Sequence, residues 1–438
     1  MINSTLLHDF LIKASTTKKT INIIGDCLLD QYFQVKPRYN PESNMPAFTV
    51  VEDDVVYPGG AGNVAFNLID MPVKYRLYGS LDSESRDLYA RKGLKTKKCL
   101  SNNKKTPKKQ RFYQGNTLLH RVDFEIKIDP PVGLEIKDAD INVFSDYDKG
   151  FLSKPWFNGY LSNAVVDPKP TAGISKWQGC KAIKLNMKEA YEFTKSHNTV
   201  EQLNIISKLT GCQNVVITMS GTGVCGLNNG SYFFINQPSV DVKNVIGAGD
   251  CFMAFFSYAQ SLGFDVLQSS EIAVVASTVF VGRSERVPLK LVDFIVDKVV
   301  PFPSLLCDRL GSLVFANGCF DVLHAGHVEC LRFAKSKGDK LVVAINSDAS
   351  VRRLKGDSRP INSLENRVAV ITALDMVDYV VVFDEDTPFE VISAIRPDFI
   401  VKGSPYTRDT VVGADLVKDV FICPTVSGLS STDILRRI

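Results

Sequence analysis

The stretch NGCFDVLHAGHVECLRFAKSKGDKLVVAINSD, residues 317–348, decides the fold of the last third of the chain. An apolar run at 313–316 leads into it, His324 and His327 open a helical pattern, and a second apolar run follows at 341–345. This order predicts one βαβ unit. Both histidines would lie at the carboxyl end of its first strand, where open α/β sheets bind their ligands, so the stretch also predicts a functional site.

The two histidines suit the phosphates of a nucleotide. Each can donate a hydrogen bond from the start of the helix, and Gly326 lets a phosphate chain pass close to the backbone. Such donors stabilise charge that develops on an α-phosphate and its pyrophosphate leaving group. Metal ligation and core packing are the alternatives. Because H-x-x-H lacks the spacing of the zinc motif H-E-x-x-H, and no third ligand is near, no metal ligand is predicted.

The composition is that of an ordinary globular protein. The 438 residues are enough for two or three domains, and a net charge of +3 gives no reason to expect nucleic acid or a membrane as partner. The ten cysteines include no C-x-x-C pair, which favours a reduced compartment. No apolar stretch approaches the roughly 20 residues needed to span a bilayer, and the amino terminus lacks a signal-peptide pattern. We therefore expect a cytoplasmic protein.

The first two-thirds of the chain predict a parallel α/β sheet with a site along one edge. Apolar runs that end in polar or glycine residues alternate there with helical patterns. A hairpin is predicted around Gly115, and the lysine-rich segment 92–111 predicts either a solvated loop or a clamp for a substrate phosphate. The apolar runs lie at 21–24, 143–145, 164–166, 183–185 and 215–218.

Two glycine turns in this part precede helical patterns. Gly60 and Asn63 belong to the first turn, and residues 247–250, Gly-Ala-Gly-Asp, form the second. Glycines at a helix start leave N–H donors pointing at an anion. Asn63 could cap its helix or bond a hydroxyl-rich substrate. Asp250 could accept the proton of an attacking hydroxyl, or it could simply be favoured there by the helix dipole.

Together these motifs resemble the ribokinase-like (PfkB) sugar kinases over residues 20–295. The resemblance implies that Asp30, Gly60 and Asn63 hold the sugar. It also implies that Asp250 is the catalytic base. The anion hole would then consist of Gly247, Ala248 and Gly249.

The resemblance extends to the nucleotide side of the kinase site. It implies that Asn186 and Glu189 organise Mg²⁺ and the phosphates, and that Thr218 and Gly223 line the ATP site. The hairpin near 111–124 would belong to a β lid.

One segment departs from that family. Where the kinases carry an asparagine near the adenine and then a Gly-Thr pair, this chain has Val274 and the segment 282–288, GRSERVP. The departure leaves an alternative open, in which the amino-terminal part is a catalytically degenerate scaffold or dimerisation module.

The carboxyl-terminal part resembles the nucleotidyltransferase superfamily of the cytidylyltransferases. Besides His-x-Gly-His, the motifs NGCFD at 317–321, LKGDSRP at 354–360 and VKG at 401–403 carry the likeness. They are most similar to the bifunctional enzymes that phosphorylate heptose 7-phosphate and adenylylate heptose 1-phosphate. This resemblance implies a doubly wound, Rossmann-like domain that uses ATP.

The implied roles in this domain all concern phosphates. His324 and His327 would contact the phosphates of ATP, while Phe320 and Asp321 would shape the nucleotide turn. The remaining implied residues are Lys355 and Arg359, which bring positive charge to the transition state or sugar phosphate, and Ser431 and Thr432, which bind the β- and γ-phosphates from the last helix. For Arg359 the alternative is an ordinary surface salt bridge.

The sequence thus predicts an α/β protein with a ribokinase-like kinase domain and β lid at 1–300, a linker at 301–311 and a nucleotidyltransferase domain at 312–438. The expected function is ATP- and Mg²⁺-dependent phosphorylation of heptose 7-phosphate at C1, followed by adenylyl transfer to heptose 1-phosphate. The products would be ADP-heptose and pyrophosphate. Another sugar or polyol phosphate, or CTP, is the alternative substrate. A homodimer through the kinase-like domain is expected.

Overall fold

The computed structural model describes residues 4–40, 46–52, 54–101, 104–115, 117–294, 311–403 and 405–424. The chain divides into two compact units. The amino-terminal unit comprises Met1–Leu6 and Thr17–Leu289, and the carboxyl-terminal unit comprises Leu7–Thr16 and Lys290–Ile438. Because most of the predicted linker lies outside the described residues, the limits at 300 and 312 stay a prediction.

The amino-terminal unit combines strands with helices that follow them in the chain. Its strands are β1 (Thr20–Gly25), β2 (Cys27–Tyr39), β3 (Pro46–Val50), β4 (Val55–Gly60), β5 (Lys74–Tyr78), β6 (Ser80–Leu81), β7 (Leu100–Ser101), β8 (Lys108–Gln114), β9 (Thr117–Phe124), β10 (Ile141–Ser145), β11 (Ala164–Asp167), β12 (Ala182–Asn186), β13 (Val215–Thr218), β14 (Gly223–Asn228) and β15 (Ser231–Asn236). The helices up to its end are α1 (Ser4–Thr16, which continues into the other unit), α2 (Ala61–Phe66), α3 (Ser83–Arg91), α4 (Met187–Thr194), α5 (Thr199–Thr210), α6 (Ala248–Ser261) and α7 (Val266–Val281).

The central sheet has the strand order β15-β14-β13-β12-β11-β10-β1-β5. It is parallel from β5 to β13, and β14 and β15 add an antiparallel edge. The parallel strands are apolar runs with little exposure, as expected where both faces are covered. The strand order reverses between β1 and β10, so a crevice is expected where Gly25 and Ser145 end these neighbours.

A second sheet forms the lid. Strand β2 pairs with β3, β4 and β8, and β8 forms the predicted hairpin with β9. The rings of Phe33 and Phe112 stack across β2 and β8 with their centroids 5.0 Å apart. Because β2 continues almost directly from β1, it carries Asp30 from the central sheet to the lid.

The carboxyl-terminal unit contains one parallel sheet with the order β18-β17-β16-β19-β20. The order reverses at β16, which has β17 on one side and β19 on the other, so this switch point is the expected ligand crevice. Its elements are β16 (Leu313–Gly318), α8 (Ala325–Lys335), β17 (Lys340–Asn346), α9 (Asp348–Lys355), α10 (Leu364–Thr372), β18 (Tyr379–Phe383), α11 (Phe389–Ile395), β19 (Phe399–Gly403) and β20 (Asp419–Cys423).

The predicted fold class is confirmed in both units, including the βαβ unit of residues 317–348. Helices α1, α3, α4, α5, α7 and α9 were not individually predicted. The last helix, predicted at 434–437 after Ser431 and Thr432, lies outside the described residues. Within the ranges that the structure describes, no helix has the length and apolar character needed to cross a membrane.

Candidate active sites

The first site is built on the glycine turn before α6. Gly247 caps this helix with φ 91°, in the left-handed region that favours glycine. A Cβ atom at Gly247 would lie 2.7 Å from the Asn63 Nδ2 atom. The turn therefore requires glycine for its conformation and for its close approach to Asn63, and it leaves the first N–H groups of α6 facing the site.

Asp250, in the first turn of α6, is held by two side chains from distant parts of the chain. Asn63 Nδ2 donates to Asp250 Oδ2 at 2.7 Å, and the Tyr147 hydroxyl donates to Oδ1 at 2.8 Å. Burial raises the pKa of Asp250, while these two hydrogen bonds oppose the rise because they favour the charged carboxylate. A buried carboxylate with a raised pKa is suited to accept a proton.

Tyr147 lies on a loop that is held in place by hydrogen bonds to Asp26. The Asp26 carboxylate accepts hydrogen bonds from the backbone N–H groups of Tyr147, Lys149 and Phe151, at 2.9, 3.0 and 3.2 Å. Burial raises the pKa of Asp26 to about 6. Neither Asp26 nor Tyr147 was predicted to have a role. Their only local signals were the polar residues that follow the apolar runs at 21–24 and 143–145.

Asp30 lies at the base of the lid with two arginines. Arg111 on β8 donates to Asp30 Oδ1 at 2.8 Å, and Arg286 Nη1 is 3.6 Å from Oδ2. Gly60 has φ 58°, and a Cβ atom there would lie 2.3 Å from the Asp26 carbonyl oxygen. The structure thus brings Asp30, Gly60 and Asn63 into the surroundings of Asp250, as the resemblance implied.

Lysines line the other side of this site. Lys184 Nζ donates to Asp167 Oδ2 at 3.1 Å, and Lys169 pairs with Glu189 at 2.5 Å. Burial raises the pKa of Asp167 to about 6. Asn186 and Glu189 form a capping box at the start of α4. Both Glu189 carboxylate oxygens already accept protein hydrogen bonds.

The two remaining predicted kinase residues lie at neighbouring strand ends. Thr218 pairs in register with Asn186 between β12 and β13, and its hydroxyl donates to the Leu185 carbonyl oxygen at 3.3 Å. Gly223 begins β14 with φ 126°. From the lid side, Lys109 Nζ lies 4.7 Å from the centre of the Tyr147 ring, so one lysine of the 92–111 segment reaches the site.

The second site is a cavity of about 680 Å³ at the switch point of the carboxyl-terminal unit. The ends of β16 and β19, the start of α8 and the end of α9 border it. Among the predicted residues, those lining it are Phe320, Asp321, His324, Gly326, His327 and Lys355.

The histidines lie side by side at the start of α8. Their ring centroids are 3.9 Å apart, and neither Nδ1 atom has a hydrogen-bond partner in the described part of the chain. Burial lowers the pKa of His324, and burial with the nearby charges of His324 and Lys355 lowers the pKa of His327 to about 4. Both rings are therefore neutral at pH 7 and can each donate one hydrogen bond.

The turn after β16 is held by an aromatic contact, hydrogen bonds and an ion pair. Phe320 has φ 48° and packs against His327 with ring centroids 5.5 Å apart. The Asp321 carboxylate accepts the backbone N–H groups of Ile361 and Asn362 at 2.7 and 2.9 Å, and it also pairs with Arg359. Arg359 is thus ion-paired with Asp321, which lines the cavity, but Arg359 is not itself a lining residue.

Two further residues of this site were given no role from sequence. Lys402, in the VKG motif on β19, donates to Asn317 Oδ1 at 2.7 Å and lines the cavity. Burial lowers its pKa to about 8. Arg367 is fully buried and donates to the Cys319 and Asn346 carbonyl oxygens at 2.7 and 2.8 Å. The predicted Ser431 and Thr432 lie outside the described residues.

The two folds and their sites define a transferase with a sugar-kinase unit and a nucleotidyltransferase unit. A model of the pfkB family carbohydrate kinases matches residues 157–287, and a cytidylyltransferase-like model matches residues 315–437. Both classes of enzyme use ATP.

Solved structures support the kinase fold. An Arabidopsis thaliana ribokinase complexed with ribose and ATP has a TM-score of 0.52 at 16% identity and covers 64% of this chain and 98% of its own. Phosphofructokinase-2 from Escherichia coli, in complex with fructose-6-phosphate, has a TM-score of 0.51 at 15% identity, with coverage of 64% and 97%. At these identities the likeness shows the fold alone.

Relatives that match both units identify the family. The bifunctional protein HldE of a Nitratiruptor species is 33% identical over 463 residues, covering 96% of this chain and 99% of the relative. The bifunctional protein HldE of Campylobacter jejuni subsp. doylei is 34% identical over 457 residues, covering 97% and 98%. The chain belongs to the family of the bifunctional HldE proteins.

Proposed function

We propose that this chain phosphorylates heptose 7-phosphate at C1 with ATP, and that it later transfers AMP from ATP to heptose 1-phosphate. A separate phosphatase removes the 7-phosphate between the two steps. The observation that carries the proposal is that one chain contains two sites. In the first, Asp250 follows a glycine turn and accepts a hydrogen bond from Asn63. In the second, His324 lies beside His327 in the cavity.

In the kinase step, Asp30 and Asn63 hold hydroxyl groups of the sugar. Asp250 accepts the proton of the C1 hydroxyl while that oxygen attacks the γ-phosphorus of ATP. The N–H groups at the start of α6, after Gly247, stabilise the charge on the transferred group. Lys184 and Lys169, each paired with a carboxylate, bring positive charge to the phosphate side.

In the adenylyl step, an oxygen of the sugar phosphate attacks the α-phosphorus of ATP directly, and pyrophosphate leaves. The neutral rings of His324 and His327 donate hydrogen bonds to the phosphate oxygens. Lys355 and Lys402, which both line the cavity, supply positive charge. No protein nucleophile is needed.

The proposal includes Mg²⁺ as the ion that accompanies the phosphates of ATP. Among the described residues, no group of three or more histidine, cysteine, aspartate or glutamate side chains could hold a metal ion. Since both Glu189 oxygens are already bonded, Mg²⁺ fits as an ion carried by the phosphates with most of its waters, which is its usual mode in kinases. When bound, it neutralises phosphate charge.

A direct experiment tests the kinase half. Purified protein is incubated with heptose 7-phosphate, ATP and Mg²⁺, and the product is analysed by mass spectrometry. Formation of the 1,7-bisphosphate by the wild type and its loss in Asp250→Ala support the proposal. If the wild type yields no more product than Asp250→Ala, the kinase claim is removed.

The alternative of a degenerate kinase scaffold is not favoured, because the HldE relatives match across both units. The alternative that the enzyme uses CTP instead of ATP is tested by comparing pyrophosphate release with the two nucleotides in the presence of heptose 1-phosphate. Release with ATP alone is the expected result.

We also propose a homodimer through the lid. The exposed side chains Phe48, Val50, Leu118 and Phe124 lie on two lid strands, β3 and β9, and a second copy would cover them. Light scattering of the wild type and of Leu118→Asp tests this: the wild type is expected to be dimeric and the variant monomeric. A cytoplasmic location stays a prediction.

A further inference from the structure

We propose that Arg286 is a catalytic residue of the kinase site, and that its guanidinium contacts the phosphoryl group in transfer. The inference rests on the proposed kinase function. Arg286 belongs to the segment 282–288, which departs from the resembling kinases, and nothing in the roles implied by that resemblance involves it.

The first observation is where Arg286 lies. A Cβ atom built on Gly247 would be 3.1 Å from Arg286 Nη2 and 2.7 Å from Asn63 Nδ2. The guanidinium of Arg286 and the amide of Asn63, which bonds the proposed base, therefore both approach Gly247 in the predicted anion hole. Because Gly247 is the cap of α6, this point lies beside the N–H groups at the start of the helix, and a γ-phosphoryl group bound by them would be near the guanidinium.

The second observation is that Arg286 has unused donors. It is 4% exposed, and its Nε and Nη2 atoms have no hydrogen-bond partner within the described ranges. Its Nη1 atom donates to the Tyr32 hydroxyl at 2.8 Å, which fixes the orientation of the group. Because a buried donor without a partner is unfavourable, two such donors on one edge of a buried guanidinium indicate an acceptor supplied by substrate.

The third observation concerns charge. Arg111 and Arg286 both face the single carboxylate of Asp30, at 2.8 and 3.6 Å. Within this group of two arginines and one aspartate, one positive charge is left uncompensated. The Tyr57 ring offers it a partial cation–π contact, with the ring centroid 4.8 Å from Arg286 Cζ. An anion completes the group. The Nε and Nη2 edge matches two oxygens of a phosphoryl group.

In the resulting step, the C1 oxygen forms a bond to the γ-phosphorus and the bond from that phosphorus to the β,γ-bridging oxygen breaks. The hydroxyl proton passes to Asp250, and ADP leaves. Arg286 donates two hydrogen bonds to equatorial oxygens of the phosphoryl group, where negative charge is spread in the transition state. Arginines in this role accelerate phosphoryl transfer by roughly 10³–10⁵-fold.

The test compares Arg286→Met with Arg91→Met, a control at the exposed last turn of α3. We expect kcat of the kinase step to fall by at least 10²-fold in Arg286→Met, with little change in KM for either substrate. Adenylyl transfer by this variant should equal that of the wild type. Added guanidinium should restore part of the kcat of Arg286→Ala. Unchanged kcat, or a raised KM for heptose 7-phosphate with unchanged kcat, overturns the inference; the latter would mean that Arg286 holds the phosphate of the sugar.

A binding measurement separates this inference from the proposed function. Calorimetry of ADP with Mg²⁺, with and without fluoroaluminate as a phosphoryl mimic, is done on the wild type and Arg286→Met. Tighter binding with fluoroaluminate in the wild type alone supports the role of Arg286, even if heptose 7-phosphate is not phosphorylated. Equal tightening in both proteins, or none in the wild type, contradicts it.

Discussion

The Tyr147 hydroxyl donates a hydrogen bond to the Asp250 carboxylate across 103 residues of sequence, at 2.8 Å. The loop that carries Tyr147 is held in turn by three backbone hydrogen bonds to Asp26. The proposed base is therefore oriented by a residue that follows a central strand. This arrangement couples the pH dependence of the kinase to one phenol.

The first prediction concerns Tyr147→Phe. Asp250 must be ionised to act as a base, so kinase activity is present above its pKa and is lost as the pH falls through it. Burial already raises this pKa, and the phenol opposes the rise. Loss of a hydrogen bond to a charged group is worth about 1.5–3 kcal/mol, so the acid limb of kcat/KM should move up by roughly one to two pH units. Tyr191→Phe, on the exposed side of α4, is the control. An unmoved acid limb would contradict the role of Tyr147.

The second prediction concerns the glycine turn. Gly247→Ala places a methyl group against Asn63 and forces an alanine into a positive φ, so kinase activity should fall by at least 10²-fold, an order of magnitude typical of a lost oxyanion-hole donor. Gly263→Ala is a matched control, since Gly263 has φ 88° with nothing within 4 Å of its added Cβ. It should cost about 1 kcal/mol of stability and leave the kinase active. Equal losses in both variants would show that backbone strain alone explains the effect.

The third prediction concerns Lys402. Its pKa of about 8 means that the charged ammonium is present below pH 8 and is lost as the pH rises through that value. The kcat/KM for adenylyl transfer should therefore decline on the alkaline side with a midpoint near pH 8. Lys402→Met should have low activity without this limb, and the exposed control Lys418→Met should keep it. If Lys402→Met retains the same alkaline limb, another group is responsible.

The fourth prediction concerns the buried charge of Arg367. Its guanidinium donates to three backbone carbonyl groups and to the Asp348 carboxylate. Arg367→Met leaves these acceptors unpaired and should lower the free energy of unfolding by about 3–5 kcal/mol. Arg332→Met, at an exposed ion pair, should change it by less than about 0.5 kcal/mol. Both tryptophans lie in the amino-terminal unit, so unfolding is best followed by the loss of adenylyl transfer in denaturant.

The sequence predicted the two folds well because their signals are local. The glycine turns, the alternation of strands and helices, and His324 with His327 each lie within a few neighbouring residues. Asp250 and Asn63 were both expected at the kinase site, and the structure joins them by a hydrogen bond across 187 residues.

The residues that were missed share a different property. The roles proposed for Tyr147, Arg286 and Lys402 depend on partners that the fold brings from distant parts of the chain. Arg367 in α10 looks like an ordinary helix-surface charge in the sequence, yet it is fully buried. Its position depends on which face of the helix packs on the sheet, and a short helix with one buried arginine does not reveal that face. Long-range packing of single polar side chains leaves no periodic pattern to read.

We infer that one chain carries two independent transferase sites. To test this, the kinase and adenylyl steps are assayed separately for the wild type, Asp250→Asn and His327→Ala. We predict that Asp250→Asn loses 1,7-bisphosphate formation and keeps pyrophosphate release from ATP and heptose 1-phosphate, while His327→Ala shows the reverse. Retention of bisphosphate formation by Asp250→Asn, or loss of both activities in either soluble, folded variant, would contradict the claim.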